Sequence, residues 1–136
     1  MIWRRLRADE TDHELVWLCV SAASFLLAVV WFRWRLPVPR CFFHDATGLP
    51  CPTCGATRCM RDFFAGDFFA ALRWNPLFFF ALAAGALFDV YAAVVLLLRW
   101  PRLRLEKISR RAANALRFSA ALAVALNWLY LAHVGR

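Results

Sequence analysis

The 136-residue chain is 62% hydrophobic, includes thirteen Phe and seven Trp, and carries a formal charge of +8. Soluble globular proteins are about 45–50% apolar, and so short a chain has too little interior to hide this surplus, which leaves lipid as the host. The arginines stand in blocks beside apolar runs, a distribution that argues against a nucleic-acid face and fits anionic lipid headgroups.

In chain order, residues 1–14 form a basic N-terminus containing Arg4, Arg5 and Arg7. Residues 15–32 follow without a charge, eighteen in all, near the lower limit for crossing about 30 Å of hydrocarbon. Trp31 to Arg35 resembles an interfacial anchor, so the first span is set at 15–35. A cleaved signal peptide is disfavoured because Phe32-Arg33-Trp34-Arg35 lacks the small residues of a cleavage site.

Residues 36–75 carry Pro37, Pro39, Pro50, Pro52 and Gly48, which predict irregular chain as far as Pro52. A helix is predicted over 53–65 and stopped by Gly66. Asp67 is the expected cap of a second helix over 68–74, ended by Asn75-Pro76. Phe63, Phe64, Phe68 and Phe69 make these helices too apolar for free solvent, so they are expected to be interfacial or partly re-entrant.

Pro76–Leu98 is the second span, with Asp89 as its one charge, and Arg99-Trp100-Pro101 closes it. Residues 99–111 form a basic loop, and 112–134 are the third span, containing Arg117 and Asn127. Asp89 and Arg117 are costly in a bilayer and sit at similar expected depths, so an ion pair is expected; Asn127 is expected to bond between helices. The fold class is therefore an all-α membrane protein, with three transmembrane helices and one or two short helices that carry the cysteines.

Six basic residues in the short 99–111 loop, with three more before the first span, place both segments in the cytoplasm by the positive-inside rule. The 36–75 segment then faces outward. Sixteen arginines against one lysine, with abundant Ala and Leu, hint at a GC-rich bacterial source. The expected location is the bacterial cytoplasmic membrane, multi-pass, with the cysteines on the outer face, the periplasm of a Gram-negative cell. Expected partners are membrane lipids, with anionic headgroups at the basic cytoplasmic segments; no nucleic acid is expected, and a homo-oligomer or a membrane-protein partner is compatible with the chain.

The chemistry concentrates at Cys41-x-x-His44 and Cys51-x-x-Cys54, separated by six residues. Two such clips offer three sulfurs and a nitrogen to a tetrahedral zinc ion. Cys51-Pro52-Thr53-Cys54 at a helix start also fits thiol–disulfide exchange, with Arg58 one turn beyond Cys54 to favour a thiolate and Cys41 as a resolving partner. A structural disulfide is the third reading. Cys19 and Cys59 read as small packing residues.

The ordered series Cys41, Thr47-Gly48, Cys51-Pro52-Thr53-Cys54-Gly55-Ala56-Thr57-Arg58, Gly66-Asp67 and Asn75-Pro76 resembles DUF2752, a bacterial membrane family of unknown function. The resemblance covers about residues 40–90. Thr53 stands where that pattern often has glycine, and the position of His44 is not a fixed part of it. The resemblance implies a small multi-pass membrane protein with a cysteine motif and leaves metal and redox chemistry undecided.

The leading expectation is a binding or structural membrane protein in which Cys41, Cys51 and Cys54, with His44, hold a zinc-like ion and fix a re-entrant segment. The alternatives are a membrane thiol–disulfide exchange protein and a small transporter or accessory subunit, the latter resting on Asp89, Arg117 and Asn127. A non-enzymatic role is favoured, since no nucleotide loop, Ser-His-Asp order or paired-carboxylate motif is visible.

Overall fold

The computed structural model describes residues 2–4, 11–34, 37, 41–104 and 109–134. Arg5, Arg7 and Lys107, which enter the charge count for orientation, lie outside these residues, as does Pro39. Among the described residues the fold is all-α, with six helices and one short two-stranded ribbon. They run β1 (Ile2–Arg4), α1 (His13–Arg33), α2 (Phe42–Thr47), α3 (Ala56–Phe64), α4 (Phe68–Trp74), α5 (Pro76–Leu98), β2 (Arg102–Arg104) and α6 (Arg110–His133).

Helices α1, α5 and α6 are long and apolar enough to cross a membrane. Their outward side chains match that host: Leu27, Leu97 and Phe118 are 71%, 82% and 76% exposed. Surfaces of this kind are stable facing acyl chains, and a helix satisfies its own backbone there. The architecture is that of a multi-pass membrane protein.

The contacts divide the chain into two compact units. One contains residues 1–38 and 84–108. In it Asp12 accepts from the Leu15 N–H at 3.1 Å and caps α1. The α5 helix ends with Arg99 in the left-handed region, φ 51°, and with the Trp100 N–H donating back to the Val95 carbonyl at 3.1 Å. Strands β1 and β2 pair antiparallel, Ile2 opposite Arg104. That pairing joins the chain before α1 to the chain after α5.

The other unit contains residues 39–83 and 109–136. Here the structure corrects the expectation of irregular chain up to Pro52, because residues Phe42–Thr47 form α2. No proline falls between Cys41 and Leu49, so nothing local forbids a turn of helix. Thr47 Oγ1 donates to the Phe43 carbonyl at 2.6 Å, and Gly48 at φ 71° closes the helix by donating its N–H to the His44 carbonyl.

Helix α3 starts at Ala56 and not at Thr53, since Cys51 to Ala56 is taken up by turns in which the Cys54 N–H meets the Cys51 carbonyl and the Ala56 N–H meets the Thr53 carbonyl. Helix α4 has the expected bounds, and Asp67 Oδ1 accepts from the Ala70 N–H at 3.0 Å. Helices α3 and α4 form a hairpin. Trp74 Nε1 donates to Asp62 Oδ2 at 2.9 Å, and the Phe63 and Phe68 rings meet edge to face at 5.4 Å. Both rings also meet Phe79 in the first turn of α5, at 5.7 and 6.4 Å.

The Asp67 cap gives a direct test of this hairpin. Asp67→Ala is expected to cost about 1 kcal/mol, with Asp67→Asn retaining most of it, as read by thermal unfolding in detergent micelles.

Candidate metal centre

Proline at 50 and 52 removes two backbone donors from the loop, and the carbonyls of the same residues have no helix or sheet to accept from. The ends of α4, α5 and α6 supply what the loop lacks. Asn75 Nδ2 donates to the carbonyls of Pro52 and Cys54, both at 3.0 Å. Asn127 Nδ2 donates to the same Pro52 carbonyl at 3.2 Å, and Trp128 Nε1 donates to the Pro50 carbonyl at 2.8 Å.

The two amide oxygens are used as fully as the nitrogens. Asn75 Oδ1 accepts from the Phe78 N–H at 3.0 Å and Asn127 Oδ1 from the Leu77 N–H at 3.1 Å, so both cap the start of α5. Asn75 is fully buried and Asn127 is 6% exposed. Amides this deep are stable only because each is bonded on both ends. Tyr130, one turn beyond Asn127, donates its hydroxyl to the Arg73 carbonyl at 3.0 Å.

The loop held in this way gathers the sulfurs. Sγ of Cys41, Cys51 and Cys54 all lie within 4.8 Å of one another, with Cys51 and Cys54 at 3.5 Å. Tetrahedral zinc at bonds of about 2.3 Å spaces its sulfurs about 3.8 Å apart, so the group needs only small adjustments to hold such an ion. Gly55 follows the pair at φ 79°, where a Cβ would stand 2.9 Å from the Trp74 carbonyl oxygen. Only glycine lets the turn leave the cysteines and enter α3 against the end of α4.

Protonation differs across the pair. Burial works to raise the Cys51 thiol, but hydrogen bonds from Thr53, Cys41 and Cys54 outweigh it and bring the group down to about 7. Thr53 Oγ1 is 3.2 Å from its sulfur. Cys54 is pushed up to about 11, first by burial and then by the neighbouring Cys51 and Cys41 thiols, against the Cys51 N–H that donates to its sulfur at 3.2 Å. Cys51 is therefore the thiol of the pair that loses its proton more easily, and a cation would have to displace the proton of Cys54.

The remaining residues singled out in the sequence distribute as follows. His44 sits exposed on α2 and outside the group of three sulfurs. The Arg58 guanidinium lies 4.6 Å over the Trp74 ring, and that cation–π contact occupies the residue expected to face a thiolate. Thr47 and Gly48 close α2, Asp67 caps α4, and Asn75-Pro76 starts α5. Thr57 lies in the first turn of α3, and Gly66 follows that helix.

Cys59 is fully buried with its sulfur 3.8 Å from the Asn75 carbonyl; burial and then the Asp62 charge push its thiol up, which suits packing. Cys19 is exposed on α1. Asp89 belongs to the first unit, where its Oδ1 is buried without a hydrogen-bond partner among the described residues, and Arg117 is exposed in the second. Asn127 makes the expected bond to another helix and, in addition, reaches the cysteine loop. Trp128 and Tyr130 were missed; the signal was the run Asn127-Trp128-Leu129-Tyr130, three polar-tipped side chains at the end of an apolar span.

Three bilayer-length helices with a cysteine cluster able to bind a metal define the class: a multi-pass α-helical membrane protein with a sulfur centre in its short-helix segment. Residues 41–88, from the first of these cysteines into the middle of α5, match the family model DUF2752, described as a protein of unknown function. No curated protein and no solved structure gave a significant match.

Gly55→Ala is expected to cost about 2 kcal/mol, from the left-handed backbone and the contact with Trp74 together. Gly48→Ala, at similar φ but with open space around its Cβ, is expected to cost about half as much in the same thermal melts.

Proposed function

We propose that the protein binds one zinc-like ion through Cys41, Cys51 and Cys54, and that the ion fixes the 41–75 segment over the ends of the membrane spans. The observation that carries this reading is the mutual approach of the three sulfurs to within 4.8 Å. Thiolates are the donors such an ion takes most readily, and the spacing fits its bond length. With His44 outside the group, the fourth position falls to solvent or to a donor brought from elsewhere.

The same reading places the α3–α4 hairpin in the membrane interface, since Phe63 and Phe68 pack on Phe79 inside a span-length helix. Phe69 and Phe64, 80% and 57% exposed, then face acyl chains. We assign the protein to the bacterial cytoplasmic membrane with its N-terminus inside and the sulfur centre at the outer face. The charge distribution supports this orientation, and the β1–β2 pairing supports a shared side for the two basic segments.

A second reading has a specific observation in its favour. Cys51, with its thiol near 7 and Cys54 at 3.5 Å, has the arrangement of an attacking thiol beside a resolving one. Electron balance would then require a partner disulfide, reduced as the Cys51–Cys54 bridge forms.

Elemental analysis of protein purified without added metal, with mass spectrometry after alkylation, separates the two. The metal reading expects about one zinc per chain, lost in Cys51→Ser; a metal-free protein with a reducible Cys51–Cys54 bridge overturns it in favour of exchange. Affinity is also expected to rise with pH, by about tenfold per unit for each proton displaced. Between about 7 and about 11 Cys51 is charged and Cys54 still protonated, so at least the Cys54 proton must leave on binding.

A further inference from the structure

Asn127 lies 73 residues beyond Cys54 and is not one of the three clustered ligand residues. Yet it bonds the backbone between two of the cysteines. Pro52 stands directly after Cys51, and the turn it opens is closed by the Cys54 N–H on the Cys51 carbonyl at 3.0 Å. A displacement of the Pro52 carbonyl therefore moves both sulfurs at once. That carbonyl is fixed by two amides, Asn75 from the start of α5 and Asn127 from α6.

Asn127 is also bonded at its other end, where Oδ1 accepts the Leu77 N–H. One nearly buried amide thus joins three pieces of backbone: the cysteine turn, the first turn of α5 and the α6 helix. From this geometry we infer that Asn127 is a positioning residue of the metal centre, coupling ion binding at the cysteines to the packing of α6 against the start of α5. The inference rests on the metal reading and extends it, because it makes the third span part of the site.

The chemistry of each end is distinct. Loss of the Nδ2 donor leaves the Pro52 carbonyl with Asn75 alone and frees the loop to rotate. Loss of Oδ1 strips the Leu77 N–H of its cap. Residues that orient ligands from one bond away typically change metal affinity by about 10–100-fold when replaced. Linkage makes the effect reciprocal, so an ion held by the cysteines strengthens the α5–α6 junction by the same factor.

Asn127→Asp is the informative variant, since a carboxylate still accepts from Leu77 but presents oxygen to the Pro52 carbonyl in place of a donor. Tyr130→Phe is the control on the same helix, because its hydroxyl holds the Arg73 carbonyl and not the cysteine turn. Zinc affinity is measured on full-length protein in detergent by competition with a chromophoric chelator, and cobalt(II) substitution reads the sulfur-to-metal charge-transfer band. Asn127→Asp is expected to weaken zinc about 10–100-fold, to perturb the cobalt band and to shrink the zinc-induced rise in Tm. Tyr130→Phe is expected to stay within about threefold of the parent, well inside the range for an orienting residue.

Unchanged affinity in Asn127→Asp, or an equal loss in Tyr130→Phe, overturns the inference and leaves the metal reading intact. A parent protein that takes up no zinc overturns both. If Asn127→Asp fails to fold, Asn127→Gln keeps the amide and displaces it by one carbon, and the same affinity criterion applies.

Discussion

The Pro52 carbonyl is the point on which the second unit is organised. A loop with two prolines cannot form a ladder, and carbonyls turned toward buried side chains must find their partners within the protein. Two buried asparagines meet that need by spending their nitrogens on the loop and their oxygens on the exposed N–H groups of α5. A helix start and an irregular loop, each deficient in the opposite sense, satisfy one another through the same two side chains. Trp128 and Tyr130 extend this pattern along α6, each donating to a carbonyl of the 41–75 segment.

Fixing the loop has a chemical consequence for the thiols. Cys51 and Cys54 share one turn, yet Thr53 stands beside the first sulfur while the second is met by the Cys51 N–H and lies next to the Cys51 sulfur, which ionises more easily. Two thiols this close cannot both ionise cheaply, so Cys51 is lowered and Cys54 is raised. That asymmetry suits both an ion that displaces a proton and an exchange reaction that begins from a single thiolate. Geometry divides the two more sharply, because the third sulfur, Cys41, is needed by the first and optional for the second.

Much of the fold was legible because the signals were local. Apolar run length gave the three long helices, and Gly66-Asp67 and Asn75-Pro76 gave the bounds of α4 and the start of α5 as the structure has them. Helix α2 was not legible, because prolines on both sides of residues 42–47 masked a short stretch that contains none. The three cysteines were identifiable from spacing, whereas the exclusion of His44 depends on how α2 is turned, which spacing does not encode. Arg58 was read as a thiolate partner from its helical offset alone; the competitor was Trp74, sixteen residues on, brought beside it by the α3–α4 hairpin. Asn127 looked like an ordinary interhelical donor because the loop it serves is 75 positions away.

The aromatic hairpin bears on why the sulfurs sit where they do. Trp74 ties α4 to α3 through Asp62 and Arg58, and Gly55 presses the cysteine turn against the Trp74 carbonyl. Phe63 and Phe68 anchor the far end of the same hairpin on Phe79. The loop end of the hairpin is thus fastened to the first turn of α5, a span-length helix, and its other end to the cysteine turn. The turn that carries Cys51 and Cys54 therefore leads directly into a hairpin packed on that helix. Packing of this kind brings Cys51 and Cys54 together in one turn, and with Cys41 the three free sulfurs lie within 4.8 Å of one another with no disulfide to join them, a spacing close enough to coordinate an ion.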